Sequence, residues 1–354
     1  MSVLDQPEVY QRLDPSRLVD RIASLPDQCW QAWREGLAFE VPPQYSRVEA
    51  IVLAGMGGSA IGGDLLAGLA ALEEAPPIVV SRDYSLPRWV GPTTLVLVSS
   101  YSGDTPETLS AYRQARQQGA CMVAITSGGA LAQEAMRERV ALFQVSYRGE
   151  PRSALGYSFV APLAFLCKLG HLSGKEKDVE ESVALLRDLA SAFAPSVPQA
   201  QNLAKTLAIS LQGRLPVIYG AGFLGAVARR WKTQLNENSK VWAFHEELPE
   251  ACHNAVQGYA LPATLHQQAS VLLLHSTLLD GRVSRQYDAV QDILEQAGIP
   301  HRRLDGVGRT PLAHLFTTLY LGDYASYYLA ILNNADPSPV PAIEDVKQRL
   351  ASPP

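Results

Sequence analysis

Short apolar runs that alternate with helix-like stretches constrain the fold of this chain more than any other sequence feature. In the first half these runs are AIVLA at 50–54, PIVV at 77–80, TLVLVS at 94–99, CMVAIT at 121–126 and ALFQV at 141–145. Between two of them, Leu109, Tyr112 and Ala115 share one face of a helix predicted over residues 105–118. Buried strands that alternate with helices are typical of a parallel sheet covered by helices on both faces. This half is therefore predicted to be an α/β domain.

The second half of the chain repeats the same plan. A strand predicted at 215–219 runs into a glycine turn and then a helix over 226–235. A second strand is predicted at 270–275, a third at 301–304, and a long apolar helix at 311–332. We interpret the repeated order of strand, glycine turn and helix as an internal duplication of an α/β domain.

Helical spacing outside the two halves completes the predicted organisation. Leu18, Ile22 and Leu25 indicate helices before the first half, and Leu185 and Leu189 indicate a helix between the halves. The predicted divisions are a helical segment at 1–45, a first α/β domain at 46–170, a helical connector at 171–212 and a second α/β domain with a C-terminal tail at 213–354.

The composition is that of a globular protein without a basic surplus. The 354 residues are 47% hydrophobic and 18% charged, and the formal net charge is −5 with an isoelectric point of about 5.8. The apolar content is sufficient for complete cores, and the length suggests two domains. Nucleic-acid-binding proteins usually carry a basic surplus, so nucleic-acid partners are not expected. A site for one phosphate group remains compatible with this charge.

Isolated cysteines and short apolar segments indicate a cytoplasmic protein. The four cysteines are Cys29, Cys121, Cys167 and Cys252. Their spacing matches no metal site, and we expect free thiols in a reducing compartment. Residues 1–10 are polar and acidic, unlike a signal peptide. The longest apolar stretch, 154–167, is too short to cross a membrane and predicts a buried helix, so no membrane partner is expected.

Two turns that follow strands in the first half could offer donors to an anion. The first, Gly55-Met56-Gly57-Gly58-Ser59, lies between a strand and a helix, where backbone N–H groups at the helix start favour negative charge. The second turn, SSYSGDT at 99–105, is called the serine loop below. Its hydroxyl and amide groups suit the oxygens of a phosphate.

Both turns also have simpler interpretations. The glycine turn is compatible with a tight strand–helix connection that binds nothing. In the serine loop, Thr105 could cap the next helix, since Pro106 occupies a favoured first helical position. A cap requires a single hydroxyl, however, and the serine and threonine residues of the loop supply four.

A further glycine turn, GAGFLG at 220–225, matches the GxGxxG pattern of dinucleotide-binding proteins. That fingerprint requires an acidic residue about 20 residues later, and Glu246 and Glu247 fit the spacing. The pattern alone is a weak signal, so a nicotinamide site and a plain strand–helix turn both remain open.

Three further positions carry groups suited to acid–base or electrostatic chemistry. Glu237 lies within NENSK at 236–240, and His253 follows 16 residues later. A carboxylate and an imidazole suit proton transfer near neutral pH. Arg152 stands beside apolar sequence, as expected for a fixed positive charge in a cleft. The alternatives are a solvated polar loop for Glu237 and His253 and a surface position for Arg152 and for Lys347 near the end of the chain.

Taken together, these motifs resemble the sugar isomerase (SIS) domain proteins, and more closely the bifunctional phosphoglucose/phosphomannose isomerase family. GMGGS, SYSGDT, Pro151-Arg152, NENSK and His253 carry the resemblance, which spans nearly the whole chain. It implies an α/β protein of two tandem SIS domains, each a flavodoxin-like, parallel-sheet αβα sandwich. It also makes the turn at 220–225 the start of the second SIS domain rather than a nicotinamide site.

The resemblance implies a role for each matched residue. Those that would bind the substrate are Gly58 and Ser59, the phosphate-binding Ser100, Ser102 and Thr105, and Arg152. Those that would act in catalysis are Arg152 beside the reacting carbons, Glu237 as base, His253 as the acid that opens the sugar ring, and Lys347.

The implied reaction is an aldose–ketose isomerisation of glucose 6-phosphate, and of mannose 6-phosphate, to fructose 6-phosphate through a cis-enediolate. This redox-neutral reaction uses a side-chain base, so neither a metal nor a cofactor is implied. The family also implies a homodimer with sites shared between chains, in which His253 would come from the neighbouring chain. The alternatives are a non-catalytic SIS regulator that binds a phosphosugar, which the absence of a helix-turn-helix segment disfavours, and an isomerase of another phosphosugar.

Two positions depart from the family pattern. Asp104 stands where related chains often have a neutral residue, and its carboxylate would repel a phosphate unless it caps a helix. Residues 338–341 read SPVP, where the family has a threonine linked to acceptance of both C2 epimers. The resemblance therefore implies activity on glucose phosphate more strongly than on mannose phosphate.

Overall fold

The computed structural model describes residues 2–351 and contains two parallel β-sheets flanked by helices. The strands of the first sheet are β1 (Ala50–Gly55), β2 (Ile78–Ser81), β3 (Thr94–Ser99), β4 (Cys121–Thr126) and β5 (Ala141–Gln144). They lie in the order β2-β1-β3-β4-β5, and all neighbours are parallel. Each strand coincides with one of the predicted apolar runs, which confirms the α/β prediction for this half.

The second sheet has four strands in the order β7-β6-β8-β9. They are β6 (Leu215–Ala221), β7 (Phe244–Leu248), β8 (Ala269–His275) and β9 (His301–Asp305), and all neighbours are again parallel. The sequence interpretation placed only three strands here and missed β7. Its sequence FHEEL has no apolar run, because an edge strand pairs on one side only and stays largely accessible to water.

The helices fill the spaces around and between the sheets. They are α1 (Pro7–Leu13), α2 (Leu18–Ala23), α3 (Leu25–Ala38), α4 (Gly57–Ala70), α5 (Pro106–Gln117), α6 (Gly129–Glu138), α7 (Ala161–Lys168), α8 (Glu176–Ala192), α9 (Leu203–Leu211), α10 (Gly225–Glu237), α11 (Gly281–Gln296), α12 (Pro311–Leu332) and α13 (Pro341–Ala351). A π-helical turn, Gly156–Val160, leads into α7, so the apolar stretch at 154–167 is a buried helix as predicted.

Helix α12 is buried along nearly its whole length and packs against α8, α9 and α10. The N-terminal helices pack on both halves of the chain: α3 contacts α7 and α8, and α2 contacts α12. Tyr320 Oη of α12 donates to Ile22 O of α2 at 3.0 Å. These helices therefore connect the two halves. The division of the chain at residues 45, 170 and 212 stays a prediction.

The strand order places the two predicted anion-binding turns side by side. β1 lies between β2 and β3, and Gly55 pairs with Ser99 at the carboxyl ends of the two inner strands. The chain leaves β1 and β3 toward opposite faces of the sheet, which opens a crevice between the turns that follow them. None of the helices within residues 2–351 is long and apolar enough to span a membrane, and none of the four cysteines forms a disulfide.

Candidate active site

The serine loop is a compact turn whose hydroxyls face one another. Ser100 Oγ donates to Thr105 Oγ1 at 3.0 Å and accepts from Gly103 N at 3.1 Å. Gly103 has φ +79°, and a Cβ there would lie 1.9 Å from Gly128 O, so only glycine fits. Ser100 is buried, Thr105 is half-buried and Ser102 is exposed. The loop therefore presents hydroxyls at several depths at the carboxyl end of β3.

The start of α5 is not capped as the alternative interpretation expected. Thr105 occupies the N-cap position with Pro106 after it, yet its side chain forms no capping hydrogen bond. Thr108 Oγ1, in the first turn of the helix, is buried and has no hydrogen-bond partner among the described residues. The amide groups at this helix start lack the side-chain cap that Thr105 could have provided, and they favour negative charge.

Asp104 points away from this helix start. Its Oδ1 accepts a hydrogen bond from Ala130 N at 2.8 Å, in the first turn of α6. A carboxylate at that place is stabilised by the helix dipole. Asp104 therefore caps the neighbouring helix α6. In this position its carboxylate is directed away from the start of α5, so an acidic residue here is compatible with a phosphate site.

The glycine turn connects the serine loop to Arg152. Ser59 Oγ accepts from Tyr101 N of the serine loop at 3.1 Å. One residue earlier, a Cβ on Gly58 would lie 2.7 Å from Pro151 O, so the backbone of residues 151–153 packs directly on α4. Any side chain at Gly58 would displace the segment that carries Arg152. The two motifs, far apart in sequence, are therefore in contact.

Arg152 is buried, with 4% of its surface exposed, and its guanidinium is held on several sides. Nε donates to Asn238 Oδ1 at 2.7 Å, and Nη2 donates to Pro337 O at 2.9 Å and to Ser338 O at 2.8 Å. Nη1 lies 3.4 Å from Glu237 Oε2. Four of the five N–H groups are engaged by these contacts, and one on Nη1 has no partner within residues 2–351.

Burial lowers the pKa of Arg152, and the charge of Glu237 opposes that effect. A guanidinium is the most basic of the side-chain groups, so Arg152 stays positive at neutral pH. The result is a fixed cation next to a carboxylate at the junction of the two sheets.

Glu237 is the last residue of α10 and opens onto a groove. Its side chain is 23% exposed, and it lines an open groove of about 480 Å³ together with Lys240, Trp242, Val340 and Ile343. The carboxylate thus combines one charged partner with access from solvent. A group that must exchange a proton with a bound molecule requires this combination.

Lys240, the last residue of NENSK, was not assigned a role from the sequence. It adopts a left-handed backbone conformation with φ +58°, and Nζ donates to Glu237 O at 2.5 Å and to Pro337 O at 3.3 Å. Burial and the nearby charge of Arg152 lower the pKa of Lys240 to about 8. The only sequence signal for this residue was its place inside the motif.

Tyr101 was also missed, although it lies within the serine loop. Its Oη donates to Tyr147 O at 2.9 Å and accepts from Gly149 N at 3.0 Å. Residues 147–149 lead directly to Glu150, which receives two hydrogen bonds of 2.7 Å from Arg21. Tyr101 therefore ties the serine loop to the segment that precedes Arg152.

Two of the residues with predicted catalytic roles lie outside this cluster in the single chain. His253 ends a short 3₁₀ helix after β7, and Lys347 is on α13; both are exposed. Neither side chain forms a hydrogen bond or ion pair with another residue of the part of the chain that the structure describes. The structure thus brings Gly58, Ser59, Ser100, Thr105, Arg152 and Glu237 into one run of contacts, with Ser102 at its edge, and leaves His253 and Lys347 at the surface.

Comparison with known proteins gives one family for the whole chain. Residues 200–350 match the model of the bacterial phospho-glucose isomerase C-terminal SIS domain. A bifunctional phosphoglucose/phosphomannose isomerase of Caldicellulosiruptor bescii is 38% identical over 94% of this chain and 99% of its own length. The protein with the same name from Thermoplasma acidophilum is 34% identical over 85% of this chain and 89% of its own length. The crystal structure of a hypothetical protein from Thermus thermophilus superposes with a TM-score of 0.76 at 19% identity, covering 98% of this chain and 94% of that one, and so shares the fold.

Proposed function

Because this chain belongs to the bifunctional phosphoglucose/phosphomannose isomerase family, we propose that it interconverts glucose 6-phosphate and mannose 6-phosphate with fructose 6-phosphate. The relatives cover almost the whole chain, so both sheets and the groove beside Glu237 belong to the compared region. The substrate we propose is a phosphosugar whose phosphate lies on the serine loop and whose reacting carbons lie near Glu237.

The contact between Arg152 and Glu237 is the observation that carries this proposal. An aldose–ketose isomerisation moves one proton between C2 and C1, so it needs a base and a means to stabilise the charge of the intermediate. Glu237 is a partly exposed carboxylate, and the Nη1 group of Arg152 lies 3.4 Å from it. The same site therefore contains a proton acceptor and a preorganised cation.

In the mechanism we propose, the Glu237 carboxylate removes the C2 proton of the open-chain sugar and returns it to C1. The C–H electron pair becomes the C1–C2 double bond of a cis-enediolate, and the carbonyl π pair moves onto O1, which carries the negative charge. A proton then passes from the C2 hydroxyl to O1, so that the C2 carbonyl of the ketose forms as Glu237 returns its proton to C1. Arg152, fixed by Asn238 and by two backbone carbonyls, needs little reorganisation to stabilise that charge. Binding of the distant phosphate by the serine loop supplies energy that orients C1 and C2.

Ring opening requires a group that protonates the ring oxygen, and we assign this step to His253 with help from Lys347. Both are exposed and lie outside the cluster in the single chain, so we propose a homodimer in which His253 of one chain completes the site of the other. Large apolar side chains beside the groove support this assembly, since Trp242 is 73% exposed, Ile343 41% and Val346 54%. A second chain would bury this surface. Unpaired cysteines are consistent with a cytoplasmic location.

An assay of fructose 6-phosphate conversion, with separate detection of glucose 6-phosphate and mannose 6-phosphate, tests the proposal. The expected result is turnover to both aldoses by the wild-type chain and none by Glu237→Gln purified in parallel, which controls for a contaminating host isomerase. Tight binding of fructose 6-phosphate without turnover would indicate a regulatory sensor instead. Turnover of other phosphosugars alone would indicate an isomerase of different specificity.

A further inference from the structure

A polar stripe runs along the buried face of α10 and ends beside Arg152. Arg230, Gln234 and Asn238 follow one another at intervals of four residues and therefore lie on the same side of the helix. Their exposed fractions are 3%, 4% and 1%. Buried polar side chains are costly unless each is hydrogen-bonded, so three of them on one face suggest a function beyond packing.

The first two members of the stripe bind one buried carboxylate of α12, Arg230 through an ion pair and Gln234 through a neutral hydrogen bond. Asp323 accepts from Arg230 Nη2 at 2.8 Å and from Gln234 Nε2 at 2.9 Å. Arg230 Nη2 also donates to Arg152 O at 3.2 Å. The backbone of Arg152 is thereby attached to an ion pair that is held inside the protein.

The third member, Asn238, contacts the guanidinium of Arg152 itself. Its Nδ2 donates to Ser326 Oγ at 3.0 Å, and Ser326 Oγ donates to Asp323 O at 2.8 Å. Because the amide nitrogen is used in this way, the amide oxygen is the atom that faces Arg152 Nε, at 2.7 Å. The rotation of the Asn238 amide is thus determined by α12 and in turn determines the plane of the guanidinium.

We propose that Asn238 is a positioning residue that holds the free Nη1–H of Arg152 toward the reacting carbons of the sugar. This inference rests on the proposed function, in which Arg152 stabilises the enediolate. The backbone carbonyls of residues 337 and 338 bind Nη2, at the opposite edge of the guanidinium. Asn238 is the side chain that fixes the Nε edge, so without it the cation can rotate away from the enediolate oxygen at which charge develops.

The test combines Asn238→Leu with Arg152→Lys in a double-mutant cycle under the isomerase assay. Asn238→Leu is expected to lower kcat by about 10- to 100-fold, because a misplaced catalytic group costs that much, and to change KM by less than about threefold. Lysine has no Nε–H at that place. In the Arg152→Lys background, adding Asn238→Leu is therefore expected to lower kcat by a further factor of less than about three.

Gln28→Leu is the matched control. Gln28 is another buried amide, which bonds Ser153 O at 2.9 Å and accepts from Gly156 N at 2.6 Å without touching the guanidinium. Its replacement is expected to lower stability but to leave kcat within about threefold of wild type.

Asn238→Asp keeps an oxygen for Arg152 Nε and provides the test if the leucine variant does not fold. Because Nε keeps its acceptor, this variant is expected to keep kcat within about fivefold of wild type. A loss of kcat of more than about tenfold in a folded Asn238→Asp variant would contradict the proposal, as would losses of kcat for Asn238→Leu and Arg152→Lys that simply multiply in the double variant. Absence of wild-type turnover would instead refute the proposed function, so the two failures are distinguishable.

Discussion

Nη1 of Arg152 lies 3.4 Å from Oε2 of Glu237, across the junction between the two sheets, although 85 residues separate them in sequence. Arg152 belongs to the segment after the first sheet, and Glu237 ends the first long helix of the second. Neither half therefore contains the candidate site alone. The packing of Gly58 against Pro151 and the hydrogen bond from Tyr101 to Ser59 extend the contacts to the serine loop.

Replacement of Arg152 by alanine is expected to lower kcat by about 100- to 1,000-fold and to raise KM much less, because the cation acts mainly on the charged intermediate. The same change leaves Asn238 Oδ1 and Ser338 O without the donor they have in wild type, and leaves Pro337 O with Lys240 Nζ alone. The free energy of unfolding should therefore fall by about 3 kcal/mol. Steady-state kinetics and urea unfolding measure the two effects. Arg148→Ala, an exposed residue just upstream, should change neither; a KM effect larger than the kcat effect in Arg152→Ala would point to simple substrate binding.

Replacement of Ser100 by alanine is expected to raise KM about tenfold, since a hydrogen bond to a charged phosphate is lost. The inhibition constant of inorganic phosphate, used as a competitive probe, should rise by the same factor, while kcat changes less. Ser110→Ala on α5, where the hydroxyl bonds Tyr84 O, is the control. Unchanged KM and unchanged phosphate inhibition in Ser100→Ala would place the phosphate elsewhere.

The stability of the protein should depend on pH through Lys240. Its pKa is about 8 in the folded chain and about 10.5 when unfolded, so between these values the unfolded chain binds more protons. The contribution of Lys240 to the free energy of unfolding should therefore rise with pH across this window, by a small amount because the side chain is partly solvated. Burial raises the pKa of the four cysteines, which act in the opposite direction over the same range, so the test is the difference between variants. Between about pH 7.5 and about pH 9.5, urea unfolding should show stability changing more favourably in wild type and in Lys177→Met, an exposed control, than in Lys240→Met. The same change in all three proteins would show that Lys240 does not contribute.

Mixing Glu237→Gln chains with His253→Ala chains should restore activity if each site uses both subunits. After random exchange, half of the dimers are mixed and one of their two sites is intact, so about a quarter of wild-type activity is expected. A mixture of Glu237→Gln with the double variant Glu237→Gln/His253→Ala should stay inactive. No recovery in the first mixture, with subunit exchange verified by mass, would show that each site is made within one chain.

The sequence predicted the strands better than the contacts. The five strands of the first sheet were predicted because each contains an apolar run, including the edge strands β2 and β5, which are only partly buried. β7 is also an edge strand, but it carries His245, Glu246 and Glu247 and so has no such run. The long helix α12 was predicted at its observed bounds because it is apolar on every side.

The candidate site was predictable only as separate motifs. Ser100, Arg152 and Glu237 were each identified, but their proximity depends on how two sheets pack, and no local pattern encodes that packing. The hydrogen bonds from Ala130 N to Asp104 and from Asn238 to Ser326 also join residues that are distant in sequence, so no local pattern predicts them. The amide of Asn238 was visible in the motif, while its partner lies 88 residues away.

Solvent deuterium provides the most direct test of the central claim, which is that Glu237 carries a proton between C2 and C1. Fructose 6-phosphate is incubated in D₂O with the wild-type chain, with Glu237→Gln and with Glu180→Gln, an exposed control on α8, and the aldose products are examined by NMR. The account predicts partial deuterium at C2 of the aldoses formed by wild type and Glu180→Gln, because a proton held on the partly exposed carboxylate exchanges with solvent in some turnovers and is transferred directly in others. In Glu237→Gln both turnover and exchange should fall by several orders of magnitude, and wild-type rates of turnover or exchange in that variant would contradict the account.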